Sequence, residues 1–191
     1  MNKKGYYNIV RALILALEVR AYYLKGHSNR VTKLALSIGK KLKLSKSKLR
    51  IIETMGKLHD LGKIALSDML LNKKGKLTPA ERYQINLHPV IGAMILNNLG
   101  FFQEDISLVK HHHERYDGTG YPDRLKKENI PLLARIFSVA DAFDAMTSDR
   151  PYRKKLPFKI AVKELIENKT TQFDPTIVEA FLLSISENHL V

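Results

Sequence analysis

The amino-acid sequence predicts an all-α protein, a single-domain bundle of helices. Apolar residues recur at three- and four-residue spacing in seven segments, whereas no alternating pattern typical of a strand persists. With 191 residues and 45% hydrophobic content, the chain is sized for one domain with a substantial core. We therefore expect residues 1–191 to form one unit, with the motif-bearing core at about 18–181.

Each helix is predicted from a stripe of apolar residues. The first begins near residue 6 and includes the apolar run Ala12–Leu17, which is too short for an export signal or a membrane span. Prolines at positions 79, 89, 131, 157 and 175 favour helix starts, because the first turn tolerates a missing N–H. The seven predicted helices are Ile9–Leu24, Val31–Leu42, Lys48–Leu58, Val90–Leu99, Leu132–Met146, Phe158–Ile166 and Ile177–Ile185.

The chain is strongly basic and contains no cysteine. Its net charge of +13 and pI near 9.8 suggest an anionic partner, although lysine-rich surfaces also stabilise thermophile proteins. The lack of cysteine excludes thiolate-rich zinc and iron–sulfur sites and fits a reducing compartment, so we expect a cytoplasmic protein. Nucleic-acid binding is disfavoured because no recognition motif is present. The densest basic cluster is Lys40, Lys41, Lys43, Lys46, Lys48 and Arg50.

Six of the seven histidines fall in a few short segments. Taken singly, a histidine on a helix is more often packed or solvated than bound to metal. Together they form a nitrogen and oxygen donor set that suits divalent Fe, Mn, Zn or Ni. The adjacent pair His59-Asp60 adds a carboxylate that can bridge two ions and so polarise one water. The six histidines are His27, His59, His88, His111, His112 and His113, and only His189 lies elsewhere.

A glycine-rich turn follows the histidine triplet. Gly118 and Gly120 permit positive φ angles, and Pro122 fixes the chain beyond Tyr121. A rigid loop of this kind is expected to aim the aromatic side chain. The alternative is a tyrosine that only packs within the loop.

Two carboxylates lie three residues apart in a helical pattern. Asp141 and Asp144 are therefore expected on one face of the helix. One would bind metal, and the other would orient a ligand or a water. A local hydrogen bond near the helix end is an equal alternative for Asp144.

These motifs resemble those of the HD-GYP family, a group of HD phosphohydrolases whose members hydrolyse cyclic di-GMP. The resemblance covers about residues 18–181 and implies a helical bundle with a metal centre in its core. It also implies attack by a metal-bridging hydroxide at one phosphodiester bond, giving linear pGpG and then, by a further step, GMP. The matching segments are Gly26–Val31, His59–Ile64, His88–Ala93, His112–Pro122 and Asp141–Arg153.

The resemblance implies two divalent ions, with Fe or Mn expected and Asp60 bridging them. His111 precedes the motif and has no family role. The first ion would be held by His59, Asp60 and Asp141, with His27 nearby. The second would be held by His88, His112 and His113.

The resemblance also assigns catalytic and substrate-binding residues. Lys63 follows the motif histidine by four residues and would aid catalysis by neutralising a phosphate oxygen. The other catalytic candidates are Asp60 and, from its spacing to Asp141, Asp144. Tyr121 would contact the substrate from its glycine-rich loop. Arginine forks suit phosphate oxygens, and Arg150 and Arg153 would lie near them. The plainer alternative for Lys63 and both arginines is an ordinary solvated charge.

Two positions depart from the family pattern. Ala21 stands where many members carry an acidic residue, which bears on activity and metal choice. Tyr23 stands where some members place a glutamate that builds a third metal site. We therefore expect two metals rather than three.

Several functional alternatives stay open at this point. The substrate is cyclic di-GMP, another cyclic dinucleotide such as cyclic GMP-AMP, or linear pGpG. A nucleotide-binding or interaction module with little turnover is the alternative from a different class. No receiver or sensor domain fits before Glu18, so a signal is expected to come from a regulatory protein partner or from the metal and nucleotide themselves. A homodimer is also open.

Overall fold

The computed structural model describes residues 3–20, 25–101, 103–149 and 154–186. Within these residues the fold is all-α, as predicted, and the one strand-like pairing is an isolated bridge between Lys169 and Phe173. No helix in the described part of the chain is long and apolar enough to cross a membrane. The helices are α1 Lys3–Arg20, α2 His27–Lys41, α3 Lys46–Leu58, α4 Asp68–Leu71, α5 Pro79–Asn86, α6 His88–Asn98, α7 Gln103–His111, α8 Leu132–Thr147, α9 Phe158–Glu167 and α10 Pro175–Ser186.

All seven predicted helices are present with shifted ends. The last residues of the first predicted helix, 21–24, lie outside the described residues. Helix α2 begins at His27, four residues before the predicted start, because Gly26 adopts a left-handed conformation at φ 73° and turns the chain into the helix. This shift places His27 in the first turn of α2.

The apolar pattern did not reveal three helices, α4, α5 and α7. Helix α5 has no buried residue and is defined by its start instead. The Thr78 side chain accepts a hydrogen bond from the Glu81 backbone, while the Glu81 carboxylate accepts one from the Thr78 backbone. With Pro79 in the first turn, this capping box specifies the helix without an apolar stripe.

The main core lies where α2, α3, α8 and α10 pack together around Phe137 and Phe181, both fully buried. Helices α2, α3 and α8 approach closely at Gly56, where an added Cβ would lie 2.7 Å from Thr32 Oγ1 and 2.8 Å from the Phe137 ring. Large side chains therefore fill the interior while a glycine sets the spacing.

A second close approach positions the candidate site. The short 3-10 helix Leu61–Ala65 packs on the beginning of α6. A Cβ at Gly62 would lie 1.9 Å from the His88 carbonyl oxygen and 2.6 Å from Gly92 N, so only glycine fits there. This contact brings the His59-Asp60 segment directly against His88.

Helix α1 closes the bundle beside the same 3-10 helix. The Arg20 side chain donates hydrogen bonds to the carbonyls of Ile64 and Leu66 and to the Asp68 carboxylate. Leu17 packs there in a small apolar cluster of its own. The end of α1 is thereby joined to the segment that follows Lys63.

Candidate metal centre

Five parts of the fold converge on one buried cluster of histidines and aspartates. They are the start of α2, the turn between α3 and the 3-10 helix, the start of α6, the end of α7 with the turn after it, and the middle of α8. Their ligand atoms form three groups, each within 4.8 Å. The groups are His88 with His112 and His113, His27 with His59 and Asp141, and His59 with Asp60 and His112.

Three of the imidazoles are oriented by the backbone. In each, Nδ1 donates to a carbonyl oxygen three residues earlier, which leaves Nε2 as the unprotonated nitrogen. Among the described residues, these three Nε2 atoms are buried without a hydrogen-bond partner. A divalent cation is the partner that suits such lone pairs. The bonds are His59 to Gly56 O at 2.8 Å, His88 to Ile85 O at 2.7 Å and His112 to Val109 O at 2.7 Å.

Asp60 faces two of the groups at once. Its Oδ2 lies 3.4 Å from His59 Nε2, and its Oδ1 lies 3.3 Å from His88 Nε2. Two ligands that bind one ion at about 2.1 Å lie about 3.0–3.4 Å apart. The spacing therefore fits coordination by each oxygen within a different group. Lys63 Nζ donates to Oδ2 at 2.7 Å.

His27 connects the cluster to a second carboxylate. Its Nε2 lies 3.2 Å from Asp141 Oδ1, while its Nδ1 lies 2.7 Å from Asp144 Oδ2. Arg30 Nε donates to the other oxygen of Asp144 at 2.6 Å. Asp144 thus reaches the cluster through His27, which is the orienting arrangement expected as one of its two alternatives.

Electrostatics favour the neutral form of His88, His112 and His113. Burial lowers the pKa of His88 and, with neighbouring imidazoles, holds the pKa of His112 well below its usual value. Burial and the charge of His88 lower the pKa of His113 to about 3. Neutral imidazole is the form that binds metal.

The part of the cluster around His27, Asp60 and Asp141 carries negative charge. Burial opposes ionisation of Asp60 and Asp141, but nearby positive charges and hydrogen bonds outweigh it and hold both pKa values well below the usual one; Lys63 acts on Asp60 and His27 on Asp141. Burial likewise opposes protonation of His27, yet hydrogen bonds with Asp141 and Asp144 raise its pKa to about 9. These anionic oxygens favour a positive charge at this place, and a metal ion supplies one.

The glycine-rich loop folds back on the segment that carries the histidines. Gly118 has φ 84°, as expected, but Gly120 is required for space instead. A Cβ there would lie 2.3 Å from Arg115 N. The loop, which contains a cis Tyr121–Pro122 peptide, places the Tyr121 ring 5.0 Å from the His113 ring between centroids. Burial, with the charges of nearby aspartates, raises the pKa of Tyr121, so its hydroxyl keeps its proton as a donor.

Two adjoining cavities surround this tyrosine. The metal pocket has a volume of about 350 Å³ and exposes His27, Lys63, His113 and Asp141 at its wall. A second cleft of about 650 Å³ is lined by the loop residues Gly118 to Pro122. Tyr121 lines both cavities and so marks where they meet.

Other positions singled out in the sequence lie away from the cluster or outside the described residues. His111 turns to the surface loop, with Nδ1 at 3.0 Å from Ser107 O and Nε2 at 3.0 Å from Asp123 Oδ2. Its lack of a predicted role is consistent with this position. The positions outside the described residues are Ala21, Tyr23, Arg150, Arg153 and His189.

Sequence reasoning assigned no role to two residues that support the site. Arg30 follows His27 by three residues and donates hydrogen bonds to both carboxylate oxygens of Asp144. Glu114 is 3% exposed and accepts a hydrogen bond from the Asp123 backbone at 2.8 Å, which ties the loop to the histidine segment. Both lie within the recognised motifs, which was the available signal.

Comparison with known proteins places the fold and the motifs in one family. The family model described as HD domain matches residues 11–177. The chain belongs to the HD domain family. A relative from Xanthomonas campestris, the cyclic di-GMP phosphodiesterase response regulator RpfG, is 42% identical over 172 residues, covering 89% of this chain and 46% of that protein. This agrees with the resemblance found in the motifs.

Two further relatives carry different substrate names. A cyclic di-GMP phosphodiesterase of Thermotoga maritima is 36% identical, with 92% of this chain and 48% of that protein covered. The 3'3'-cGAMP-specific phosphodiesterase 3 of Vibrio cholerae is 35% identical, with 87% and 36% covered. The chain therefore spans about half the length or less of these curated relatives.

Solved structures show the same fold at lower identity. The V. cholerae cyclic GMP-AMP-specific phosphodiesterase V-cGAP3 has a TM-score of 0.67 at 21% identity, covering 93% of this chain and 49% of that one. The HD-GYP-type protein Bd1817 of Bdellovibrio bacteriovorus has a TM-score of 0.69 at 22% identity, covering 84% and 51%. These matches support the all-α HD architecture.

Proposed function

We propose that this chain is a metal-dependent phosphodiesterase that hydrolyses a cyclic dinucleotide. The observation that carries the proposal is Asp60, whose two oxygens face different imidazoles, His59 and His88, with buried and unpartnered Nε2 atoms. A pair of ions bound there would supply Lewis-acid activation of water and of the phosphodiester. The nitrogen and oxygen donors suit Fe or Mn.

The proposed ligand sets follow the observed groups. Asp60 belongs to both sets because its oxygens point to both. Two ions are proposed, since the described residues supply these two sets. The first set is His27, His59, Asp60 and Asp141, and the second is Asp60, His88, His112 and His113.

The chain's other polar residues have separate roles in the proposal. Lys63 holds Asp60 through its 2.7 Å contact and lines the metal pocket, where its ammonium can stabilise charge on a phosphate oxygen. Asp144 keeps His27 in its orientation. Tyr121, held by the turn that contains Gly118 and Gly120, offers its hydroxyl to the substrate at the mouth of the pocket.

Two arginines complete the proposed substrate contacts. Arg150 and Arg153 are assigned to the substrate phosphates by their place in the motif. Bidentate guanidinium groups suit phosphate oxygens, and the net charge of +13 attracts such anions.

Cyclic di-GMP is the first substrate to test, with pGpG and then GMP as products. Its support is that relatives matching 89% and 92% of this chain are named for it, while cyclic GMP-AMP has support from the V. cholerae relative. We further propose that residues 1–191 act as one catalytic unit in the cytoplasm, with a regulatory protein or a second copy as partner.

The decisive experiment combines metal analysis with product identification. Protein purified without oxygen is analysed for Fe, Mn, Zn and Ni, then incubated with cyclic di-GMP, cyclic GMP-AMP and pGpG. We expect about two ions per chain and hydrolysis of at least one cyclic dinucleotide. If the metal-loaded protein binds these nucleotides and hydrolyses none of them, the chain is a binding module and the enzyme proposal is wrong.

A further inference from the structure

The larger cleft beside the metal pocket is not used by the proposed metal chemistry. Its volume of about 650 Å³ exceeds the 350 Å³ of the metal pocket, and the two meet at Tyr121. A cyclic dinucleotide is larger than the phosphodiester that reacts. When that group lies at the metal pocket, part of the ligand has to extend beyond it, and the cleft is the adjoining space.

One wall of the cleft is formed by the end of α5 and the start of α6. Tyr83, Asn86, Leu87 and Val90 line it, at positions i, i+3, i+4 and i+7. This spacing keeps four side chains on one face across the junction of α5 and α6. The opposite wall is the glycine-rich loop from Gly118 to Pro122.

Tyr83 lines the cleft and is largely exposed. Its relative exposure is 67%, among the large hydrophobic residues that lie at the surface. An aromatic ring that borders a cleft and leaves most of its surface in water offers a flat face to a ligand. Asn86, one turn further along, adds an amide with both donors and an acceptor.

The wall is held in a fixed relation to the metal centre. Helix α5 begins with the capping box at Thr78, and Lys73 holds Glu81 at 2.7 Å. At its other end, the Ile85 carbonyl accepts the Nδ1 hydrogen bond that orients His88. The same short helix therefore positions both the Tyr83 ring and His88, a proposed metal ligand.

We propose that this cleft is a nucleobase subsite, in which one base of the dinucleotide stacks on Tyr83 and presents its edge to Asn86. The inference rests on the proposed function and adds the place of a base to it. Every nucleobase has a flat π-face, so the ring gives affinity, while the amide contributes a contact that depends on the base edge. The pocket with Lys63 takes the phosphodiester.

The test compares Tyr83→Ala with Tyr83→Phe in cyclic di-GMP hydrolysis by the metal-loaded full chain. Loss of stacking on one base corresponds to a rise in KM of about 5- to 150-fold, larger than any fall in kcat. The phenylalanine variant keeps the ring and should keep a KM within about threefold of the wild type. Leu183→Ala, on the exposed face of α10, serves as the matched surface control.

A spectroscopic measurement reports stacking itself. A cyclic dinucleotide with 2-aminopurine in place of one guanine loses fluorescence when that base stacks on an aromatic ring. On rapid mixing, before turnover, wild type and Tyr83→Phe should quench it and Tyr83→Ala should quench it less. Inhibition by inorganic phosphate, which needs no base, should be equal in all three.

The outcomes separate this inference from the proposed function. A wild type that hydrolyses cyclic di-GMP, together with a Tyr83→Ala variant of unchanged KM and unchanged quenching, overturns the subsite alone. Equal loss in the alanine and phenylalanine variants overturns stacking, since only the hydroxyl is missing from phenylalanine. A wild type that neither binds nor hydrolyses any cyclic dinucleotide overturns both.

Discussion

Two clusters in this molecule contain the same three residue types and differ in their surroundings. In the interior, Asp60 contacts Lys63 Nζ at 2.7 Å and faces histidine Nε2 atoms at 3.3 and 3.4 Å. At the surface, Asp123 contacts Lys110 Nζ at 2.6 Å and His111 Nε2 at 3.0 Å. The Asp60 side chain is 3% exposed, against 40% for Asp123.

The difference shows why a histidine-rich segment is not itself a metal site. His111 and His112 are adjacent in the chain, yet both ring nitrogens of His111 lie against oxygen acceptors. His112 has Nδ1 held by the backbone and its buried Nε2 directed to no protein acceptor among the described residues. A buried imidazole with one nitrogen left over is a candidate ligand, whereas an imidazole with acceptors at both nitrogens has no lone pair left for a metal ion.

The largest effect is expected from the two aspartates. Asp60→Ala should remove both ions and lower hydrolysis by about 1,000-fold or more, because the carboxylate faces both groups of imidazoles. Asp123→Ala should keep the metal and most of the activity, since an exposed ion pair contributes little. Metal content per chain and circular dichroism of both variants check this. Metal content near wild type in Asp60→Ala removes the bridging assignment.

The adjacent histidines give the next comparison. His112→Ala should lose one ion per chain and reduce turnover by about 100-fold, since the second set loses one of its imidazoles. His111→Ala should retain both ions and change turnover by less than about twofold. Metal titration of the two variants provides the measurement. If both variants lose the same amount of metal, Nε2 of His112 has no special role in binding the ion, and the assignment of His112 as a ligand is wrong.

The lysines test whether the interior charge takes part in chemistry. Lys63→Ala should reduce kcat by about 100-fold with the metal content largely retained, because the ammonium supports charge at the reacting phosphate without binding metal. Lys110→Ala is the surface counterpart and should leave kcat within about twofold. Turnover at saturating substrate decides the matter. An unchanged kcat in Lys63→Ala would make it a structural partner of Asp60.

The smallest of these effects is expected at the carboxylate behind His27. Asp144→Asn should weaken metal binding by about 10- to 100-fold, because His27 loses the charged acceptor that orients it. Ser148→Ala is a milder control, as its hydroxyl reaches the same carboxylate at 3.4 Å without touching His27. Competition with a chelator measures both variants. If Asp144→Asn and Ser148→Ala bind metal with the same affinity, Asp144 only joins α8 to α2 through Arg30 and does not orient His27 for metal binding.

Local sequence predicted most of the helices, for a clear physical reason. A buried stripe such as that of α8 repeats at helical spacing, so the prediction Leu132–Met146 and the observed Leu132–Thr147 differ by one residue. The apolar pattern did not predict helix α5, because the helix has no fully buried side chain and depends on its caps; only Pro79 indicated its start. Periodicity detects burial, and a helix without burial has to be found from its first turn.

By itself the sequence determined the fold class, the family and the chemical type of the candidate ligands, because helical spacing and residue identity are local properties. Only the tertiary structure decided which imidazoles meet at one place, since that depends on contacts between distant segments such as Gly62 against the His88 carbonyl. It also decided that Asp144 lies behind His27, within hydrogen-bond distance of its Nδ1, and that Gly62 and Gly120 serve close packing. Distances between side chains far apart in the chain arise only when the helices pack, and the site depends on those distances.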